Sequence, residues 1–204
     1  MMRITRIEPV TKTKYRVSVD EQFAFVVYKG ELSRFHLKEE CELTEDTYAK
    51  IKEVLLKRAK LRAMHLLNDM ARTESQLRDK LKLCGYPSEI TEAAVAYVKS
   101  FGYINDDAYI RNFIDSRKDK KSRREIYALL RQKGVDMNRA EEIMEEMYEV
   151  HSDQEAIREL LRKKHWDFAC TDPKEKQKIY GYLVRKGFRY EDIRQVIQVC
   201  DWNA

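Results

Sequence analysis

The sequence predicts a mainly α protein, built as tandem three-helix repeats in an elongated array with a small N-terminal antiparallel β element. Three observations carry this prediction. Only six glycines and three prolines punctuate 204 residues, where average usage would supply about 24, so turns are few. A glycine-centred pattern recurs three times at spacings of 49 and 53 residues, which is the mark of a repeat architecture. Finally, the first 37 residues alone are rich in β-branched and aromatic runs, the residues that favour strands.

In that first stretch, Tyr15-Arg16-Val17-Ser18-Val19 and Phe23-Ala24-Phe25-Val26-Val27-Tyr28 flank Asp20-Glu21-Gln22, the pattern of a hairpin or meander. Lys29-Gly30-Glu31 reads as a turn, and Leu32 to Leu37 as a third or fourth strand. A two-stranded ribbon alone is marginal in water, so this element must pack on something. After Cys41 the period changes: Tyr48, Ile51, Leu55, Ala59, Ala63, Leu66 and Met70 recur at three- and four-residue spacing, predicting a helix over 45–70. Thr44 serves as its N-cap, with Glu45 and Asp46 in the first turn. Thr73-x-x-Gln76, Ser122-x-x-Glu125 and Ser152-x-x-Glu155 fit the capping box, and Asp172-Pro173 fits an N-cap followed by an N1 proline.

The repeat itself aligns Leu77–Tyr86, Ile126–Val135 and Ile179–Phe188 without a gap. Each has an apolar residue eight and four positions before a glycine, and another just after it. The physical meaning is a helix that ends on a residue free to take the left-handed conformation, with the next apolar side chain folding back on the helix just completed. Nine residues beyond the glycines stand Ala94, Ile143 and Val196, on the stripe of the following helix. The domains are therefore a β-rich extension over 1–42 and three-helix units over 43–101, 102–150 and 151–204, with the frame open to a shift of one helix. Such an array is long rather than round. That shape accommodates a chain that is 37% charged.

Chemistry-bearing motifs are absent. There is no run of 18 apolar residues and no apolar leader, so a soluble, cytoplasmic protein without membrane attachment is expected. Cys41, Cys84, Cys170 and Cys200 stand far apart, and His36, His65, His151 and His165 form no ligand-type pairing. The cysteines read as reduced thiols, and no metal, cofactor or catalytic residue is expected. Asp106-Asp107 beside Asn105 is better explained by helix capping than by chemistry, because neighbours on a helix point about 100° apart. The helical tyrosines read as packing residues with a wet hydroxyl.

Charge is the informative feature. Arg117-Lys118-Asp119-Lys120-Lys121-Ser122-Arg123-Arg124 holds six basic residues and one acidic, while Glu141, Glu142, Glu145, Glu146 and Glu149 fall in a stretch without Lys or Arg. A basic run this dense suits a polyanion, such as a nucleic-acid backbone or an acidic protein groove; a merely solvated helix entry is the alternative. The candidate binding residues are Arg117, Lys118, Lys120, Lys121, Arg123 and Arg124. Lys163, Lys164, Arg185 and Lys186, at the ends of later helices, join them in second rank.

The residues 71–81, Ala-Arg-Thr-Glu-Ser-Gln-Leu-Arg-Asp-Lys-Leu, then Gly85-Tyr86, then Phe101-Gly102-Tyr103-Ile104-Asn105-Asp106-Asp107-Ala108-Tyr109 and Arg117, resemble the RecX family of recombination regulators. The segments 126–134 and 179–188 are similar to its second and third repeats. Asp69-Met70-Ala71 stands where many relatives carry basic residues, and Asn105 replaces a more usual acidic or small residue. The resemblance implies a cofactor-free, monomeric regulator, not an enzyme. It would bind the filament of a RecA-type recombinase on single-stranded DNA and inhibit ATP hydrolysis and strand exchange in homologous recombination, DNA repair and the SOS response. A helical protein that binds DNA directly, without a recombinase partner, is the alternative function. Whether the basic run meets DNA phosphates or an acidic recombinase surface stays open.

Overall fold

The computed structural model describes residues 2–148, 152–168 and 172–200. Glu149, His151 and Cys170, and the side chain of Cys200, lie outside the described residues. Two compact units divide the chain, Met1–Asn105 and Asp106–Ala204.

In the first unit, β1 (Met2–Pro9), β2 (Lys14–Val19) and β3 (Gln22–Tyr28) form an antiparallel meander, and β4 (Glu42–Leu43) pairs with the far side of β1, giving the order β3-β2-β1-β4. The expected hairpin is β2–β3. Its tip is the two residues Asp20 and Glu21, both with positive φ (47° and 65°), between the paired Val19 and Gln22; such a turn matches the twist of the strands it joins.

The strand expected over Leu32–Leu37 does not form. Lys29–Arg34 is instead a short helix, α1. The Glu31 carboxylate accepts the Tyr28 N–H at 2.7 Å and binds Arg58 Nη1 through both oxygens at 3.1 and 2.8 Å. A partner from a distant helix therefore holds the turn in helical form.

That helix is α2 (Glu45–Asp69), capped by Thr44, whose Oγ1 accepts the Thr47 N–H at 3.3 Å. α3 (Glu74–Leu83) begins in a full capping box, Thr73 and Gln76 exchanging bonds of 3.2 Å, and α4 (Ser88–Ser100) follows. The inward side chains of the sheet, Ile4, Val17, Phe25 and Val27, share one buried cluster with Ile51 and Leu55 of α2, Leu77 and Leu81 of α3, and Ala94 and Val98 of α4. Among the described residues, the β element shares its core with these helices.

The second unit holds α5 (Asp106–Asp115), α6 (Arg123–Gln132) and α7 (Met137–Met147) around Ile110, Ile114, Ile126, Leu130, Ile143 and Met144. It also holds α8 (Ser152–Lys163), α9 (Pro173–Arg185) and α10 (Tyr190–Cys200) around Ala156, Ile157, Leu161, Leu183, Ile193 and Val196. Asp172 caps α9 through the Lys174 N–H at 2.9 Å, with Pro173 at N1.

The repeat positions behave as their spacing predicts. Gly85, Gly134 and Gly187 all have positive φ (85°, 71° and 91°). The residues eight and four before them, Leu77, Ile126, Ile179, Leu81, Leu130 and Leu183, are buried. After α3, Gly85 N–H donates to Lys82 O at 2.9 Å and Tyr86 N–H to Leu81 O at 3.3 Å; after α9, Gly187 donates to Val184 O at 2.9 Å and Phe188 to Leu183 O at 3.2 Å. These paired bonds satisfy the last carbonyls of each helix and turn the following apolar residue back onto it.

Candidate nucleic-acid interface

The basic run lies in the second unit, across the loop from α5 to α6, and it is organised by one buried serine. Ser122 Oγ accepts the Glu125 N–H at 3.2 Å, capping α6, and donates to the carbonyl of Lys186 at 2.7 Å, at the end of α9. One hydroxyl thus serves as acceptor for its own helix and donor to another, which is its full capacity as a buried donor. The close approach depends on Gly187: a Cβ there would stand 2.9 Å from Ser122 Oγ and 3.4 Å from Arg124 Cβ. On the other side, Asp153 in the first turn of α8 accepts the Arg123 N–H at 3.0 Å. Burial, above all, pushes the Asp153 carboxyl above its ordinary range, and the Arg123 N–H offsets part of that rise.

These contacts sort the six cations of the run. Arg117 lies over the Phe113 ring at 3.8 Å and donates to Ser116 Oγ at 2.6 Å. Lys118 pairs with Asp115 at 3.0 Å, and Lys121 with Glu125. Arg123 reaches Glu145 at 3.9 Å and lies over Tyr148. Lys120 and Arg124 are exposed and form no ion pair among the described residues. They are the cations of the run available to an external anion.

The second-rank residues divide in the same way. Ser122 brings Lys186, and with it Arg185, beside the start of α6. Lys163 pairs with Glu159 at 3.3 Å and Lys164 lies over the Tyr182 ring at 4.3 Å. Lys163 ends α8 and Lys164 follows it, about 15 Å along the helix from the Asp153 contact with Arg123. They do not belong to the same local cluster.

Beside the cap contact opens a cleft of about 830 Å³, whose lining includes Arg123, Arg124 and Arg189, the aromatic Tyr127, Tyr148 and Phe188, and the acidic Glu141, Asp153 and Asp192. Burial raises the Tyr148 hydroxyl well above its usual titration, and that hydroxyl has no hydrogen-bond partner among the described residues. Arg189 was not among the candidates from the sequence. Its signal was its place two residues after the repeat glycine, where the chain turns back past the cap of α6.

Three glutamates of the acidic stretch meet cations within the unit. Glu142 pairs with Arg139 at 2.6 Å, Glu145 with Arg123, and Glu146 with Arg111. Asp107 is held by Arg139 at 2.6 and 2.9 Å, and that guanidinium keeps its carboxyl below the ordinary range. Among the described residues no three His, Cys, Asp or Glu side chains gather to hold a metal ion, and no helix is long and apolar enough to cross a membrane.

Comparison with known proteins decides the family. Residues 152–197 match the third three-helix domain of RecX and residues 59–97 the first. The regulatory protein RecX of Caldanaerobacter subterraneus subsp. tengcongensis is 33% identical over 201 residues, covering 97% of this chain and all of the relative. The chain belongs to the RecX family. The regulatory protein RecX of Clostridium botulinum (strain Alaska E43 / Type E3) is 27% identical over 97% of this chain and 96% of its own length. Two crystal structures share the RecX fold with this chain, each at a TM-score of 0.61. One, of regulatory protein RecX, is 24% identical and covers 97% of this chain and 99% of the other. The second, RecX from Lactobacillus salivarius, is 22% identical over 74% of this chain and 99% of the other. The two matched segments fall on α2–α4 and on α8–α10, and the full-length relatives are named as regulatory proteins.

Proposed function

We propose that this RecX-family chain is a cytoplasmic regulator in recombination, DNA repair and the SOS response. It binds the filament of a RecA-type recombinase on single-stranded DNA and restrains its ATP hydrolysis and strand exchange. It acts by binding, as a monomer, without a cofactor or catalysis of its own. The observation that carries the reading is the Ser122 contact, which brings the start of α6, with Arg124 and the nearby exposed Lys120, to the Arg185–Lys186 end of α9; neither Lys120 nor Arg124 forms an ion pair among the described residues. The result is a group of cations gathered at a doubly bonded helix cap, on the rim of the cleft.

The test is an ATPase titration of assembled filaments at two salt concentrations, with the wild type and with Lys120→Glu/Arg124→Glu. Lys121 is left in place because its pairing with Glu125 belongs to the start of α6. The double reversal is expected to weaken filament binding and ATPase inhibition together while the circular dichroism is unchanged. If the cations meet DNA phosphates, the slope of log affinity against log salt falls by roughly 0.7 for each lost contact on single strands. Equal inhibition by both proteins at both salts overturns this surface.

A further inference from the structure

The outer face of the N-terminal sheet carries a second surface, unrelated to the basic run. The inner face is set by Val17, Phe25 and Val27, all buried in the core. The register places Lys14 opposite Tyr28 and Arg16 opposite Val26, and then shifts, so that Ser18 faces Phe23. This bulge adds Ala24 as the extra residue. Ala24 packs against the core, and Phe23 emerges on the outer face, 48% exposed, with the Arg16 guanidinium over its ring at 5.8 Å. Bulges re-aim side chains in this way. A large aromatic ring is thereby turned toward solvent beside a cation.

The face is bounded by the end of α3. Gly85 passes so close to Val26 that a Cβ on it would lie 2.4 Å from Val26 Cγ2. A groove of about 600 Å³ results, with Val26 on its floor, Phe23, Arg16 and Lys14 along one side, and Lys82 and the 80% exposed Leu83 along the other. Among the described residues its lining holds three cations and no carboxylate. Lys14 lies over the Tyr28 ring at 5.5 Å, and none of Lys14, Arg16 and Lys82 forms an ion pair among the described residues. Glu8, which faces Arg16 from β1, is taken by Arg6 at 3.3 Å.

We infer that this groove binds a single-stranded polynucleotide, with a base stacked on Phe23 and phosphates on Arg16, Lys14 and Lys82. Each feature matches that ligand. An exposed ring offers a stacking surface that accepts any base, and flanking cations follow the backbone. Lys14 and Arg16, two residues apart on one strand, present their charges about 7 Å apart, on the scale of successive phosphates in an extended strand. An acidic peptide would use the cations and leave the ring without a role.

The experiment uses the full chain and no recombinase, so its outcome is independent of the filament reading. Binding of a fluorescein-labelled oligothymidylate, longer than the roughly 4–16 nucleotides one such platform covers, is followed by anisotropy. Phe23→Ala and Phe23→Leu are expected to bind about 5- to 150-fold more weakly, the range set by loss of one base–aromatic stack, and Phe23→Tyr to bind as the wild type does. Arg16→Gln/Lys82→Gln is expected to flatten the salt slope by roughly 1.4. An iodouracil oligonucleotide is expected to crosslink to the peptide that contains Phe23. Wild-type affinity in Phe23→Leu, crosslinks confined to other peptides, or equal competition by duplex DNA or polyglutamate would each overturn the inference.

Discussion

A methyl group on Gly85 would have to share space with Val26 of the sheet, at 2.4 Å, in a backbone of φ 85°. Gly102 has a similar φ of 72° and nothing within 4 Å of where a Cβ would stand. The pair separates two physical effects. Left-handed backbone alone costs a non-glycine residue about 1–2 kcal/mol, and overpacking adds typically 1–3 kcal/mol. Gly85→Ala is expected to lower the denaturant midpoint clearly more than Gly102→Ala does; equal losses would show that the contact with Val26 relaxes freely. The place of Gly85 in the repeat predicts its positive φ and nothing about its neighbour. What it touches comes from β3, almost 60 residues earlier in the chain, and no local pattern carries that.

At the scale of elements, caps tie helices to one another as well as starting them. Ser122→Ala removes the cap of α6, worth roughly 0.5–2 kcal/mol, and strands the Lys186 carbonyl, about 1–3 kcal/mol more if water cannot reach it. A loss above the ordinary cap value is therefore expected in chemical unfolding; a loss of only a few tenths would mean that the bond to α9 contributes nothing. In the first unit, Glu74 at the start of α3 joins Lys99 of α4 at 2.8 Å and Arg78 at 2.5 Å. The Lys99 bond foremost, and then Arg78, hold the Glu74 carboxyl below its usual 4.5. The folded state thus releases this proton more readily than the unfolded chain. Its contribution is present above about pH 4.5 and is lost as pH falls through the depressed value. Glu74→Gln is expected to flatten the acid limb of stability while lowering stability at pH 7, and an unaltered acid limb would assign that limb to other carboxylates.

For the molecule as a whole, the shared core of sheet and helices sets what can be removed. Deleting residues 1–43 uncovers Ile51, Leu55 and their neighbours on α2, which the sheet's Ile4, Val17, Phe25 and Val27 help to bury. It also removes Glu31, the partner of the half-buried Arg58. The truncated chain is expected to lose cooperative unfolding of residues 44–105, seen as amides of α2–α4 that exchange without protection, while α5–α10 keep theirs. Protected amides in α2–α4 of the truncated protein would show that the helices carry their own core. The same reasoning ties the outer sheet groove to this unit, since Lys82, Leu83 and Gly85 of its wall come from the end of α3.

The sequence by itself determined the class of fold, the period of the repeat, the caps Thr44, Thr73, Ser122 and Asp172, and the positive φ of the three glycines. These depend on interactions within a few residues, where spacing and side-chain chemistry act directly. It also exposed the basic run, because charge density needs no folding to be seen. Tertiary structure alone decided that Leu32 follows a helix start and not a strand, since Arg58 completes Glu31 from another element. It alone decided which cations remain available, because among the described residues Lys118, Lys121 and Arg123 find carboxylates and Lys120 and Arg124 find none. A basic residue's freedom depends on what the fold brings within about 4 Å of it, and that distance is settled by the packing of helices far apart in the chain.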